Sequence, residues 1–141
     1  MIKTKGYTLI EILIVIVILA VLAVMALVQF TGQDERGIVS EAVAHLSAIR
    51  QAEAGYNLEN SVYLAMDTAL PADDTKWATA GIDKPSTTNF NYKCDLAGLS
   101  TATRQPVAGT CTLSGADPYG GCTITLTAAG AWGGTHPHTP T

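Results

Sequence analysis

An unbroken run of seventeen apolar residues, from Ile12 to Val28, constrains this chain more than any other feature of its sequence. At about 1.5 Å per residue a helical run of this length covers about 26 Å, and with residues 7–10 it can cross the ~30 Å hydrocarbon core of a bilayer. Lys3 and Lys5 precede the run, so the positive-inside bias predicts a cytoplasmic N-terminus. The sequence therefore predicts a single membrane pass, with most of the chain on the far side.

The residues before the run do not fit an ordinary secretory signal. Such a signal has its small-residue cleavage site after the apolar region, whereas here Gly6 follows the basic residues and precedes the run. Glu11 also interrupts the segment near its start. A carboxylate at the centre of a span costs about 2.5–3.5 kcal/mol, and less near the interface, so it usually has a function and a partner. The alternative is an interfacial glutamate that reaches the headgroups.

Residues 3–11 are Lys-Thr-Lys-Gly-Tyr-Thr-Leu-Ile-Glu. This segment resembles the prepilin peptidase site of type IV pilins and type II secretion pseudopilins. The resemblance implies that cleavage follows Gly6 and that Tyr7, where the family more often has phenylalanine, becomes the N-methylated N-terminus. Glu11 matches the family's glutamate at the fifth mature position. The implied partners are the prepilin peptidase, an inner-membrane assembly platform with its motor, the membrane, and copies of the chain itself in a helical filament.

Electrostatics gives Glu11 a role in assembly. Cleavage creates a positive ammonium group at Tyr7, which also lies in an apolar zone. The Glu11 carboxylate of one subunit can neutralise the ammonium of a neighbour when staggered helices pack. A mismatched register would leave both charges unpaired at low dielectric, which is costly. Glu11 is therefore predicted to set the register between subunits.

The pattern divides the chain into four parts: a leader at 1–6, a hydrophobic transmembrane and filament-core helix at 7–30, an amphipathic stalk helix at 31–57, and a globular head at 58–141. Apolar residues recur at spacings of three and four after residue 38, as on one face of a helix. This predicted stripe consists of Val39, Val43, Leu46, Ile49, Ala52 and Tyr56, and Glu53 falls off it. One helix is expected from about Tyr7 to about Tyr56.

Three segments of the head alternate apolar and polar residues, which is typical of strands: 89–94, 110–113 and 122–127. A short strand near Trp132 is expected to close the sheet. A long helix followed by an antiparallel sheet is the α+β arrangement of the pilin fold, and that is the predicted fold class.

The three cysteines, Cys94, Cys111 and Cys122, lack the CxxC spacing of a zinc or redox site. In an exported domain, one disulfide and one remaining thiol is the simplest account. The turn at 116–119 lies midway between Cys111 and Cys122, so a hairpin would place these two opposite each other, and this disulfide is predicted. The pairs Cys94–Cys111 and Cys94–Cys122 remain alternatives.

Two places carry potential metal ligands. Asp73 and Asp74 are adjacent, which permits calcium binding, but a solvated turn is the favoured interpretation. His136 and His138 alternate in the tail at 133–141 with no evident third ligand, so an exposed tail is favoured. No metal site and no cofactor are predicted.

The favoured function is a structural subunit of a type IV pilus, stored in the bacterial inner membrane and assembled into an extracellular or periplasmic filament. The alternatives are a type II secretion pseudopilin, which more often lacks disulfides, and a membrane-anchored binding domain. No catalytic residues are predicted, because no nucleophile with a paired base and no phosphate-binding loop is present. The net charge of −4 and the absence of basic clusters make nucleic acid an unexpected partner.

The apolar segment departs from the family in one respect. Type IV pilins commonly carry a helix-breaking proline here, and often a glycine, at the positions occupied by Val28 and Ala20. Without proline no backbone donor is missing, a difference of ~3 kcal/mol in helix preference. The helix is therefore expected to stay continuous from Tyr7 to about Phe30, and any break on assembly is expected at Gly32 or Gly37.

Overall fold

A computed structural model describes residues 8–106, 111 and 118–141, and for 26–33 it describes the backbone alone. The chain forms two compact units, 1–37 and 38–141. The predicted α+β class is confirmed. The elements in chain order are α1 (Leu9–Asn60), β1 (Met66–Asp67), a 3-10 turn (Pro71–Asp73), α2 (Asp74–Thr79), β2 (Phe90–Cys94), β3 (Ser100–Arg104), β4 (Thr123–Leu126) and β5 (Trp132–Gly134).

Helix α1 is 52 residues long and ends four residues beyond the predicted Tyr56. Ser61 closes it, because its N–H donates to the carbonyl of Asn57 at 2.7 Å and its φ is 60°. A residue in this left-handed region is a common helix ending, since it satisfies carbonyls that the last turn leaves free. The chain then turns back along the helix.

The sheet has five strands in the order β1-β2-β3-β4-β5, and every neighbouring pair is antiparallel. In β2 the predicted alternation holds, since Phe90, Tyr92 and Cys94 are buried. In β4 the buried residues are Ile124 and Leu126. Strands that follow one another in the sequence are neighbours throughout the sheet, which is the common arrangement.

The core of the second unit lies between α1 and one face of this sheet. Helix α1 contributes Val39, Ala42, Leu46 and Ile49, each at most 5% exposed. The sheet contributes the buried residues of β2, β3 and β4, and Trp77 of α2 completes the cluster. Burying this apolar surface supplies the main stabilisation of the head.

Strand β3 was not predicted, although it is the central strand. Its core-facing residues are Ser100 and Ala102, both fully buried, so the strand lacks the large apolar residues that mark its neighbours. Of the predicted strand at 110–113 only Cys111 lies within the described residues, and it belongs to no strand. The rest of that strand, and residues 116 and 117 of the turn at 116–119, lie outside the described residues.

Two predictions about acidic residues were wrong. Glu53 lies on the buried line of α1 with Leu46 and Ile49, and it is 1% exposed. Asp73 is 7% exposed rather than solvated, because it ends the 3-10 turn, pairs with Lys76 at 2.7 Å and accepts the N–H of Asp67 at 3.0 Å. Nearby partners offset the cost of burying the Asp73 carboxylate.

The prediction that the tail at 133–141 is exposed was also wrong. Gly133 and Gly134 belong to β5, and His136 is 3% exposed. The His136 ring stacks on Tyr119 with centroids 5.4 Å apart and lies 6.3 Å from the ring of Phe90. Aromatic packing of this kind holds the tail against the head.

Candidate functional site: the start of helix α1

Two reciprocal hydrogen bonds define the start of α1. The backbone N–H of Thr8 donates to Oε2 of Glu11 at 3.4 Å, and the backbone N–H of Glu11 donates to Oγ1 of Thr8 at 3.3 Å. This is a capping box, in which two side chains satisfy donors that the first helical turn leaves free. Both bonds are long and exposed, so the carboxylate of Glu11 remains open to another partner.

The sequence analysis did not identify Thr8 as a functional residue. The signal was present, because threonine followed three residues later by glutamate, just before an apolar run, is the capping-box pattern. The same glutamate therefore has a local role in starting the helix and a predicted role between subunits.

The side chains that follow Glu11 are apolar and exposed. Every large hydrophobic side chain from Leu9 to Met25 is between 47% and 84% exposed. A helix that is apolar on all sides needs lipid or other helices around it. When only the residues whose side chains the structure describes are counted, no helix reaches the length and hydropathy required of a membrane span.

The predicted cleavage and methylation residues, Gly6 and Tyr7, lie outside the described residues. The described helix begins at Leu9, two residues after the predicted new N-terminus. Glu11 therefore lies in the first turn of α1, where a carboxylate also interacts favourably with the helix dipole.

The cysteines lie far along the chain from this site. A disulfide joins Cys111 to Cys122, whose Cα atoms are 4.6 Å apart, and Cys94 is a buried free thiol. Burial, and secondarily the nearby Glu53, raises the pKa of the Cys94 thiol to about 12. A thiol with so high a pKa is a poor nucleophile at neutral pH.

Among the described residues, no group of three or more histidine, cysteine or acidic side chains is placed to hold a metal ion. The rings of His136 and His138 lie 5.8 Å apart, and Nδ1 of His136 accepts the backbone N–H of His138 at 3.3 Å. This pair therefore contributes to the packing of the tail.

Comparison with known protein families finds a match at the start of the chain. The prokaryotic N-terminal methylation motif matches residues 1–27 of the chain. No curated protein and no solved structure shows significant similarity to it.

A basic leader, a capped apolar helix and this motif occur together at the start of the chain. The chain carries the signature of the prepilins of type IV pili and pseudopili. That family consists of structural subunits and is not known as enzymatic. The signature implies processing by prepilin peptidase and self-assembly.

Proposed function

We propose that the chain is the structural subunit of a type IV pilus. In this proposal it is stored in the bacterial inner membrane with its N-terminus in the cytoplasm, and is polymerised through its N-terminal helix into a filament. The observation that carries the proposal is the apolar surface from Leu9 to Met25, at least 47% exposed at each large side chain. The methylation motif at residues 1–27 supports it.

The stored and assembled states differ in what surrounds this surface. Apolar contacts between helices gain little over contacts with lipid tails, so the hydrophobic effect alone does not drive the subunit out of the bilayer. Extraction therefore needs work, which an assembly platform and its motor would supply. Polar groups within the apolar segment then decide which packing is correct.

We assign the selection of the correct packing to Glu11. Cleavage after Gly6 leaves an ammonium group at Tyr7, and the Glu11 carboxylate of an adjacent subunit would neutralise it. Removing one partner of a buried charge pair costs about 3–5 kcal/mol, because the other charge remains unpaired. A subunit in the wrong register is therefore rejected by that penalty.

The capping box makes a discriminating experiment possible. Glu11→Gln retains an acceptor for the N–H of Thr8, so the helix still starts correctly, but it removes the charge. We expect Glu11→Gln and Glu11→Ala both to insert and to be processed, and to form fewer fibres by at least about tenfold, as an unpaired ammonium predicts. Glu59→Gln, an exposed glutamate on the same helix, is the matched control and should assemble normally.

Normal fibre numbers from Glu11→Gln, counted by electron microscopy, would contradict the role of the charge. If only Glu11→Ala failed, the capping box alone would explain the requirement for this residue. The location of the fibres distinguishes the two candidate assemblies. Fibres at the cell surface support a pilus, and fibres restricted to the periplasm support a type II secretion pseudopilus.

A further inference from the structure

Glu53 is a buried carboxyl group that the proposed function does not use. It lies on the core-facing line of α1 and is 1% exposed. Its Oε2 accepts the backbone N–H of Leu64 at 2.9 Å. Its Oε1 is buried and has no hydrogen-bond partner in the described part of the chain. A buried carboxylate oxygen without a donor is costly, more so than a neutral polar atom.

The hydrogen bond to Leu64 fastens the segment that follows α1. The chain reverses at Ser61, so Leu64 returns to a position opposite Glu53 on the helix. The next residue, Ala65, accepts a hydrogen bond from Nζ of Lys76 at 3.0 Å. Beyond the Ser61 bond that closes α1, residues 62–65 are thus held by the bond to Glu53 of α1 and by the bond from Lys76 of α2.

The cationic side chains on the neighbouring elements are engaged elsewhere. Lys76 pairs with a carboxylate at 2.7 Å, Arg50 donates to a backbone carbonyl at 3.0 Å, and Lys93 is on the exposed face of β2. On β2 the Cys94 thiol lies close enough to Glu53 to interact with it electrostatically, and the Asp95 carboxylate beside Cys94 is also an acid. The surroundings therefore favour an uncharged Glu53.

We infer that Glu53 is protonated in the folded head and that its ionisation, which releases the proton to water, loosens residues 61–65 from α1. In the neutral acid Oε2 serves as the carbonyl oxygen that accepts the Leu64 N–H, and Oε1 carries the proton. Ionisation places a full charge on a pair of oxygens that has one donor, and relief requires water to enter. This inference concerns the head alone and does not rest on the proposed function.

The direction of the pH effect follows from the same contacts. Burial raises the pKa of Glu53 above its ordinary 4.5, and the bond from Leu64 opposes this only in part. In the opened or unfolded chain the group ionises near its ordinary value. The closed form is therefore favoured most below about pH 4.5 and loses this advantage as the pH rises towards the pKa of the folded state.

Cys94 provides a direct reporter of the opening. It is 1% exposed, lies near Glu53, and is the one cysteine outside the disulfide. The experiment measures the rate at which Ellman's reagent modifies Cys94 in the full chain in detergent micelles, from pH 5 upwards. The rate for the wild type is divided by the rate for Glu53→Gln at each pH, which cancels the ordinary titration of the thiol. Glu59→Gln is the control for loss of an exposed carboxylate on α1.

We expect the ratio to rise with pH from pH 5, with a limiting slope of about tenfold per pH unit, and to level off once the folded Glu53 has ionised. Glu59→Gln should follow the wild type. A ratio that does not change with pH overturns the inference. If Glu53→Gln does not fold, the amide-exchange protection of residues 61–65 in the wild type decides. A fall in protection with pH supports the switch, and constant protection refutes it.

Discussion

A single methyl group added at Gly134 tests the strand pairing that closes the sheet. Gly134 lies opposite Ile124 in the β4–β5 ladder and has a φ of +120°. A Cβ atom there would overlap the carbonyl oxygen of Thr123, and it would lie 2.8 Å from the carbonyl carbon and 2.9 Å from the Cα of Ile124. All of these are backbone atoms, so no side-chain rotation relieves the clash.

A second glycine with a positive φ allows the expected loss of stability to be divided into backbone strain and steric clash. Gly81 also has a positive φ, of +79°, and a Cβ there would meet nothing within 4 Å. Gly81→Ala therefore measures backbone strain alone, about 1–2 kcal/mol. Gly134→Ala adds the displacement of β5 from β4, including Trp132 from its contact with the core. We expect a total loss above about 4 kcal/mol, which only clashes or cavities usually cause.

Urea unfolding of the full chain in micelles measures both variants. The two tryptophans, Trp77 and Trp132, both lie in the head, so their fluorescence reports its unfolding. The expected difference between the variants is at least about 2 kcal/mol in the free energy of unfolding. A Gly134→Ala variant as stable as Gly81→Ala would refute the β4–β5 register described above.

Three further predictions concern the helix, the disulfide and the leader. Gly37 and Gly55 both lie in α1 with space for a Cβ, so alanine at either should favour helix by about 1 kcal/mol. Gly37→Ala should reduce the number of fibres because it opposes the helix break expected on assembly, whereas Gly55→Ala should not. Equal fibre counts from the two variants would contradict this prediction. Replacing Cys111 and Cys122 together with serine removes a link spanning 11 residues and should cost about 2–3 kcal/mol, so an unchanged melting temperature would show that the link does not stabilise the head. A bulky residue in place of Gly6 should leave unprocessed precursor, because the peptidase needs close approach to the backbone; immunoblots with mature-sized protein would exclude that requirement.

The large residues made much of the fold predictable. Strand β2 and strand β4 alternate aromatic or branched residues with polar ones, so their positions and buried faces followed from the sequence. Strand β3 did not, because small residues face the core and its position depends on its neighbours. Propensity and periodicity are weak guides where tertiary packing decides.

The burial of polar residues shows a related limit of prediction from sequence. Placing Glu53 off the apolar stripe followed from its charge, yet the buried line of α1 passes through it. The tail was misassigned for a similar reason, since its packing depends on Tyr119 and Phe90, which are distant in sequence. Burial of a polar residue depends on partners that the local sequence does not display.

The N-terminal site could be proposed from the sequence because the pattern that indicates it is local. The positions of Gly6, Tyr7 and Glu11 relative to the apolar run required no tertiary information. The capping role of Thr8 is equally local, and the pattern that indicates it spans four residues. The disulfide pair depends on the chain folding back, and there the sequence left alternatives open.

The central claim is that this chain is processed and assembled through its N-terminal helix, and the intact mass of protein from purified fibres tests it most directly. We predict one species that begins at Tyr7, lacks residues 1–6 and carries a single added methyl group on its N-terminal nitrogen. Fragmentation of the N-terminal peptide locates that methyl group. Fibre protein that retains Met1 to Gly6, or fibres that do not contain this chain, would contradict the claim.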